Sequence, residues 1–454
     1  MVKELRKLAP RSSHGEWAPA ADRPDPLSLL QEQDKGRLQR LLPIKYGRML
    51  ESSFAFLRGS AVVMASDLAS TPATGLDVIL CGDAHLSNFG IFATPERSMV
   101  FDINDFDEAY PGPWEWDLKR LAASAVVAGR ENGFSEKKCR LLAVETTKVY
   151  AYAMDKFSQA HVLDVWYYHV NVDSVLEIMD RASKRGKKRT RKMVEKASRK
   201  THQQTLEKLT LFEDGRRRII SDPPLLIPFR ELGLEKYLRG TDLIQASEEV
   251  VKDNWSNYLV SLPDERRYLL DQFQIMDGAL RVGGVGSVGT RCLIVLIESK
   301  TEDDALILQL KEAGPSVLES YVGRPSTWQH GKRVVTGQRL IQATSDIFLG
   351  WHTSTITKTE FYWRQLKDMK GSAEVSDMDY ESFKSYLGVC AWCLSRAHAR
   401  TGDETGIAGY IGKNDSFAEA IGDFAVAYAD QTERDYQALV EAVKSGRIEA
   451  QTGI

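Results

Sequence analysis

The chain has 454 residues, 43% hydrophobic and 27% charged, with 60 Lys and Arg against 63 Asp and Glu and a formal net charge of −3. That is the make-up of a globular protein with room for two or three structural units, and it excludes fibrous and disordered classes. So small a net charge also excludes whole-molecule attraction to nucleic acid or membrane, so any anion binding is local.

Five cysteines in this length are no disulfide framework. No apolar run approaches a membrane span. The opening MVKELRKLAPRSSHGEW has basic residues without an apolar stretch behind them, so a cytoplasmic protein is expected.

Residues 1–75 read as an N-terminal arm and helices. Up to about Pro43 the chain is polar and proline-bearing, an extended arm with a helix near Leu29 to Leu41. Arg58-Gly59 then punctuates the sequence just before an Ala/Val/Met-rich helix. An arginine there can grip a phosphate or carboxylate bidentately, or simply tie two loops together, which makes Arg58 a secondary candidate.

The densest chemistry lies between Val78 and Leu118. Two short apolar runs, Val78 to Leu80 and Ser98 to Phe101, have the length of buried strands. Each ends in acids and amides: Gly82-Asp83-Ala84-His85-Leu86-Ser87-Asn88 after the first, Asn104-Asp105-Phe106-Asp107 after the second. Either loop alone is explained as an ordinary turn, because Asp and Asn bond local backbone. Together, in this order, they point to phosphoryl transfer. There an Asp accepts the acceptor hydroxyl's proton, and oxygen-bearing side chains hold Mg²⁺ against the phosphates.

Helical spacing past Leu118 implies a mostly helical lobe over residues 76–275 that carries both loops. Arg181 to Lys200 is a basic run, readable as a solvated helix or loop or as a contact for an anionic partner. It has no interleaved aromatics, so nucleic acid is not the expected partner. Asp222 to Gly233 reads as a proline-defined connection, and a helical stretch is expected from about Thr241 to Phe273.

Residues 276–372 change period. Gly283, Gly284, Gly286, Ser287 and Gly289 form a glycine-rich loop followed by the β-branched run TRCLIVLIES, a polar turn, and LILQLKEA with Lys311 near its end. G-x-G-x-x-G is weak by itself. Here it opens a second strand and not a helix, which favours a strand–loop–strand cover for phosphates over a dinucleotide fold. Lys311 would then pair with the α/β-phosphates. Glu319 and Gln338 compete as the residue that orients it, and Arg364 to Lys370 is expected to be the hinge between lobes.

Residues 373–454 read as helices returning to the large lobe. Cys390 and Cys393 are expected to be buried small residues on one helical face, His398 a packing histidine, and Arg400 an arginine able to reach the active site. The tail from Phe417 reads as one or two amphipathic helices.

CGDAHLSN followed by NDFDEAYPGPWEWDLKRLA resembles the His-Gly-Asp-x-His-x-x-Asn and Ile-Asp-Phe segments of aminoglycoside phosphotransferase-like kinases, including the Asp117-Leu118 pair after their metal aspartate. The whole chain resembles more closely a bacterial domain of unknown function, DUF2252. The phrases FAFLRGSA, LCGDAHLSNFG, VGGVGSVGTRC, GQRLIQATSDIFLG, FYWRQLKDMKGS and LSRAHARTGD carry that likeness over most of the chain.

The kinase resemblance implies an α+β, protein kinase-like two-lobe fold with a helical larger lobe and a small antiparallel-sheet lobe. Its motifs would be circularly permuted, because the catalytic and metal loops precede the glycine loop and lysine. It implies ATP and Mg²⁺, with Asp83 catalytic, Asn88, Asp105 and Asp107 around the metal, His85 secondary, and an unknown hydroxyl-bearing acceptor. A non-catalytic nucleotide-binding regulator and nucleotidyl transfer from the same cleft are the alternatives.

Overall fold

A computed structural model of the chain describes residues 2–199, 201–232, 247–301, 304–323, 328–355, 357–366 and 369–454. The protein is α+β, with helices predominating and every strand pairing antiparallel. The strands are β1 (Asp77–Leu80), β2 (Phe89–Ala93), β3 (Met99–Ile103), β4 (Tyr110–Pro113), β5 (Val170–Asn171), β6 (Thr210–Glu213), β7 (Arg216–Ile219), β8 (Leu226–Pro228), β9 (Gln274–Arg281), β10 (Cys292–Glu298), β11 (Ala305–Glu312), β12 (Gly350–Thr353), β13 (Glu360–Gln365) and β14 (Gly371–Ser372).

The largest core is helical. The Glu115–Glu131 helix runs through its middle, with every side from Glu115 to Gly129 buried and alanines at 122, 123, 125 and 128 letting neighbours approach closely. Against it pack the helices Glu136–Phe157 and Ser416–Lys444, and against the former lies Tyr380–Ala399, whose start is capped by Asp379 accepting the Ser382 N–H at 2.9 Å. Two small sheets sit on this core, β1 with β4, and β14-β2-β3-β5.

The second unit is a six-stranded sheet in the order β12-β13-β11-β10-β9-β8. β10 and β11 are buried almost throughout because both faces of the sheet are covered. On one face Leu306, Leu308 and Leu310 join Tyr258, Phe348 and Trp363. On the other, Ala305 and Ile307 join Leu206, Ile219, Ile294 and Leu366. This second face continues along β11 to Gln309 and Lys311, so the lysine is aimed by strand alternation.

Several elements differ from the sequence reading. The N-terminal arm is folded, with helices at Val2–Leu8, Pro26–Asp34 and Leu42–Met49. The Pro26–Asp34 helix starts earlier than expected because Asp25 caps it, accepting the Ser28 N–H at 2.9 Å, with Pro26 in the first turn. The stretch expected to be helical from about Thr241 splits at Pro263 into Ser247–Val260 and Asp264–Leu270, and residues 241–246 lie outside the described residues. β2, β4, β8 and the β6–β7 hairpin carry no strand signal strong enough to read locally. All five cysteines are free and buried, with Cys390 and Cys393 inside the Tyr380–Ala399 helix. Among the described residues no helix is long and apolar enough to cross a membrane.

Candidate functional site

One hairpin brings the two acid-and-amide loops together. The Asp83 to Asn88 loop enters β2, the chain returns along β3, and Asn104 to Asp107 follows. The register pairs Phe89 with Ile103, which sets Asn88 beside Asn104, and the Asn104 N–H donates to the Asn88 carbonyl at 2.8 Å. The first loop turns at Gly82, where φ is +83° and a Cβ would strike the Glu108 carbonyl at 2.2 Å.

Asp117, 2% exposed, fixes the start of that loop. Its carboxylate accepts the N–H groups of Cys81 at 2.8 Å and Gly82 at 3.1 Å, and His398 approaches it at 3.4 Å. His398 also meets the Tyr150 hydroxyl at 2.8 Å and is fully buried, so it packs and orients as expected.

Asp83 accepts from the Arg120 Nε at 2.8 Å, and the Asn88 side-chain amide donates to the Asp83 carbonyl at 2.7 Å. Burial pushes the Asp83 carboxyl up from its ordinary value, with Arg120 pulling it down and Asp105 adding to the rise. A carboxylate whose proton affinity is raised by burial and whose position is fixed by an arginine can accept a proton. His85 is 3% exposed, and burial holds its imidazole well below the usual range.

In the second loop Asp105 accepts the Asp107 N–H at 3.3 Å. Asp107 is engaged by two residues of the six-stranded sheet: the Lys311 ammonium and the Tyr362 hydroxyl. Burial would raise the Asp107 carboxyl, but Lys311 and Tyr362 outweigh it and the net shift is downward; burial would depress Lys311, yet Asp107 lifts it well above the ordinary lysine value. Neither Glu319 nor Gln338 pairs with Lys311. Gln338, on the His330–Ile341 helix, faces the same cleft and donates to Gln342 at 2.8 Å. Glu319 turns instead toward His330 and Arg333.

The glycine loop joins β9 to β10 and is held from outside by the N-terminal segment. The Arg37 guanidinium donates to the carbonyls of Gly286 at 2.7 Å and Val288 at 2.6 Å, Leu38 N–H donates to Gly289 O at 2.7 Å, and Arg48 donates to Gly283 O. Val285 and Val288 are buried among N-terminal apolar residues.

These parts enclose one cleft of about 900 Å³. From the first hairpin it takes Asp83, His85, Asn88, Asp105 and Asp107, and from the sheet unit Gly283, Gly284, Gly286, Ser287, Lys311 and Arg364; Arg58 and Gln338 also line it. Gly289, Glu319, His398 and Arg400 do not. Arg400, expected to reach the active site, instead donates to the Gln342 carbonyl at 2.6 Å and lies over the Trp166 ring at 4.0 Å. The expected hinge includes residues 367–368, outside the described residues. Beyond it β14 pairs with β2, so the chain crosses here from one unit to the other.

The sequence reading missed Arg120, Arg281 and Lys370. Arg120 lies three residues beyond Asp117, one helical turn along the same face, and that spacing was the available signal. Lys370 faces the cleft and contacts the Asn104 carbonyl at 3.4 Å; burial, then Arg364, push it down to about 7. Arg281 ends β9 opposite the Cys292 end of β10, on the cleft face of the sheet.

No group of three or more His, Cys, Asp and Glu residues able to hold a metal occurs among the described residues. Asn88 and Asp105 offer oxygen donors from neighbouring loops. That sparse set fits Mg²⁺, which takes one or two protein ligands and completes its shell with phosphates and water. The basic run forms the Lys184–Arg199 helix, packed through Gly186, Thr190 and Ala197 with its charges turned outward; Lys187, Arg189 and Lys196 pair with Asp180, Asp377 and Glu374. It is a solvated helix, and Lys200 lies outside the described residues.

The family model described as an uncharacterized protein conserved in bacteria, DUF2252, matches residues 37–442, and the chain belongs to that family. No curated protein matches the chain, and no solved structure does.

Proposed function

We propose that this member of the bacterial family is an ATP- and Mg²⁺-dependent phosphotransferase acting on a hydroxyl acceptor, built on a circularly permuted, two-lobe kinase-like plan. One observation carries the reading. Asp83, Asn88 and Asp105, from one stretch of chain, share a single cleft with the glycine loop and Lys311, some two hundred residues later. Residue types required together for phosphoryl transfer converge there from distant parts of the chain.

In the step this implies, the acceptor oxygen attacks the γ-phosphorus, the bond from that phosphorus to the bridging oxygen breaks, and ADP leaves with the electron pair. Asp83 takes the hydroxyl proton, and Arg120 holds its carboxylate in place. Lys311 and the N–H groups of the glycine loop neutralise the phosphates. Asn88 and Asp105 would hold Mg²⁺, which supplies charge neutralisation at the β- and γ-phosphate oxygens. The sheet supports the same reading. β9, the glycine loop, β10 and β11 run as antiparallel neighbours, and the His330–Ile341 helix comes after the lysine strand. The departure is the lysine's partner, which is Asp107 and not a helical glutamate.

The test is calorimetric titration of ATP and ADP, with and without Mg²⁺, into wild type, Asp105→Ala and Lys311→Ala. Metal-dependent binding weakened by both substitutions is expected. Absence of nucleotide binding by the wild type would overturn the proposal. The mass gained by a modified acceptor, phosphate or AMP, separates phosphoryl from nucleotidyl transfer.

A further inference from the structure

Arg58 lines the cleft at the end of the Ser53–Gly59 helix. Its Nε is buried without a hydrogen-bond partner, and its guanidinium makes no hydrogen bond or ion pair with any described residue. The acid acting most strongly on it is Asp83, which already accepts from Arg120. Two arginines thus stand over one carboxylate, and the pocket carries a positive charge in excess. Arg58 is half-buried, with its Nε shut off from water and the rest of the guanidinium facing the cleft. Holding an unpaired charge so is costly, and binding sites keep such a group where a ligand will answer it.

We propose that Arg58 seats an anionic group carried by the acceptor, a carboxylate or a phosphate, so that the substrates are hydroxyl compounds bearing their own negative charge. The inference rests on the phosphotransferase reading for the word acceptor, but the anion site stands on its own geometry. Two observations place the anion beside the proton acceptor, on the acceptor substrate and not on the nucleotide. The acids acting on Arg58 are Asp83 and Glu51. The groups acting most strongly on Lys311 are Asp107, then Tyr362 and Asp105, so Lys311 is engaged on the Asp107 side of the cleft and Arg58 on the Asp83 side. The tip of the glycine loop passes over the Arg58 backbone, where a Cβ on Gly286 would stand 3.5 Å from the Arg58 carbonyl. An acceptor held there has its charge under the loop tip and its hydroxyl beside Asp83. The planar fork of arginine suits both carboxylate and phosphate, and a lysine would not replace it.

The experiment titrates inorganic phosphate into wild type, Arg58→Ala, Arg58→Lys and Lys311→Ala, followed by phosphorus NMR. AMP-PNP and ADP with Mg²⁺ are titrated separately into the same proteins. The expected result is phosphate affinity reduced about ten- to a hundredfold in Arg58→Ala, with only partial recovery in Arg58→Lys. Both nucleotides should bind Arg58→Ala within about twofold of wild type. Arg58→Ala should melt no lower than wild type, since it removes a half-buried, unpaired charge without removing a hydrogen bond. Phosphate affinity unchanged in Arg58→Ala overturns the anion site. AMP-PNP weakened while ADP is spared reassigns Arg58 to the γ-phosphate and overturns the acceptor assignment. If neither nucleotide binds wild type while phosphate still needs Arg58, the anion site stands and the phosphotransferase reading falls. A parallel turnover assay with glycerol and glycerol 3-phosphate, and with matched neutral and carboxylated alcohols, distinguishes phosphate from carboxylate as the natural anion; preference for the neutral member of each pair overturns the proposal.

Discussion

Lys311 on β11 closes an ion pair with Asp107 across 204 residues of sequence, and Tyr362 on β13 donates to the other oxygen of the same carboxylate. The six-stranded sheet is thereby bonded directly to the loop that follows β3. The Lys311 side chain is 6% exposed and that of Asp107 30%, so the pair is largely withdrawn from water.

Removing one partner leaves the other charge buried. Lys311→Met is expected to cost about 2–4 kcal/mol of stability, and a Lys311→Met, Asp107→Leu double variant to regain part of that. Urea unfolding of the four proteins measures the coupling. Additive losses would mean the pair does not form in solution.

Asp83→Asn keeps the shape of the catalytic loop and removes the proton acceptor. Turnover should fall about 10²- to 10⁴-fold while Mg²⁺-dependent nucleotide affinity stays near that of wild type. Full activity in this variant would refute the role assigned to Asp83.

Lys370 has its proton affinity depressed to about 7 by burial, then by Arg364. Between that value and the unfolded lysine value the unfolded chain binds the extra proton. This group's contribution to stability is therefore full above about 10 and declines as pH falls toward 7. An anionic nucleotide beside it should reverse the depression, so binding near neutrality takes up a proton. Calorimetry in buffers of differing ionisation enthalpy should show that uptake in wild type and its loss in Lys370→Met; equal uptake in both would exonerate Lys370.

Asp117 does not line the candidate cleft and acts through the backbone of Cys81 and Gly82. Asp117→Asn turns one acceptor into a donor facing an N–H, at a cost of about 1–3 kcal/mol. Hydrogen exchange at the amides of residues 81 and 82 should quicken, and turnover should fall with little change in KM. Unchanged protection at both amides would show that Asp117 does not hold the loop.

Arg37 grips the glycine loop through two carbonyls. Arg37→Ala should raise exchange in residues 283–289 and weaken nucleotide binding about five- to thirtyfold. A loop equally protected without Arg37 would show that its order is intrinsic.

What the sequence disclosed divides along the range of the interactions. The runs at Val78 and Met99, the long apolar β10 and β11, and the helices after Leu118 announce themselves through local period and composition. β4 does not, because Tyr110-Pro111-Gly112-Pro113 has no strand propensity and is extended only through its pairing with β1. The members of the cleft were legible by residue type, but their partners were not. Asp107 as the mate of Lys311 is a contact across units that no spacing rule encodes, and Arg120 as that of Asp83 was signalled only by its place one turn beyond Asp117. Arg400 misled for the converse reason: its proximity in sequence to the Cys390 helix said nothing about the side on which it would emerge.

The ceiling of the cleft has a consequence for chemical probes. Arg281, Lys311 and Arg364 line the cleft from one face of the sheet, so a bound molecule that presents negative charge to that face is answered by three cations. Compounds carrying a carboxylate or phosphonate should therefore bind better than their uncharged counterparts. A displacement assay on an acid and its methyl ester would decide it: the ester should lose most of the affinity, and equal potency would mean that these cations are turned away from the bound molecule.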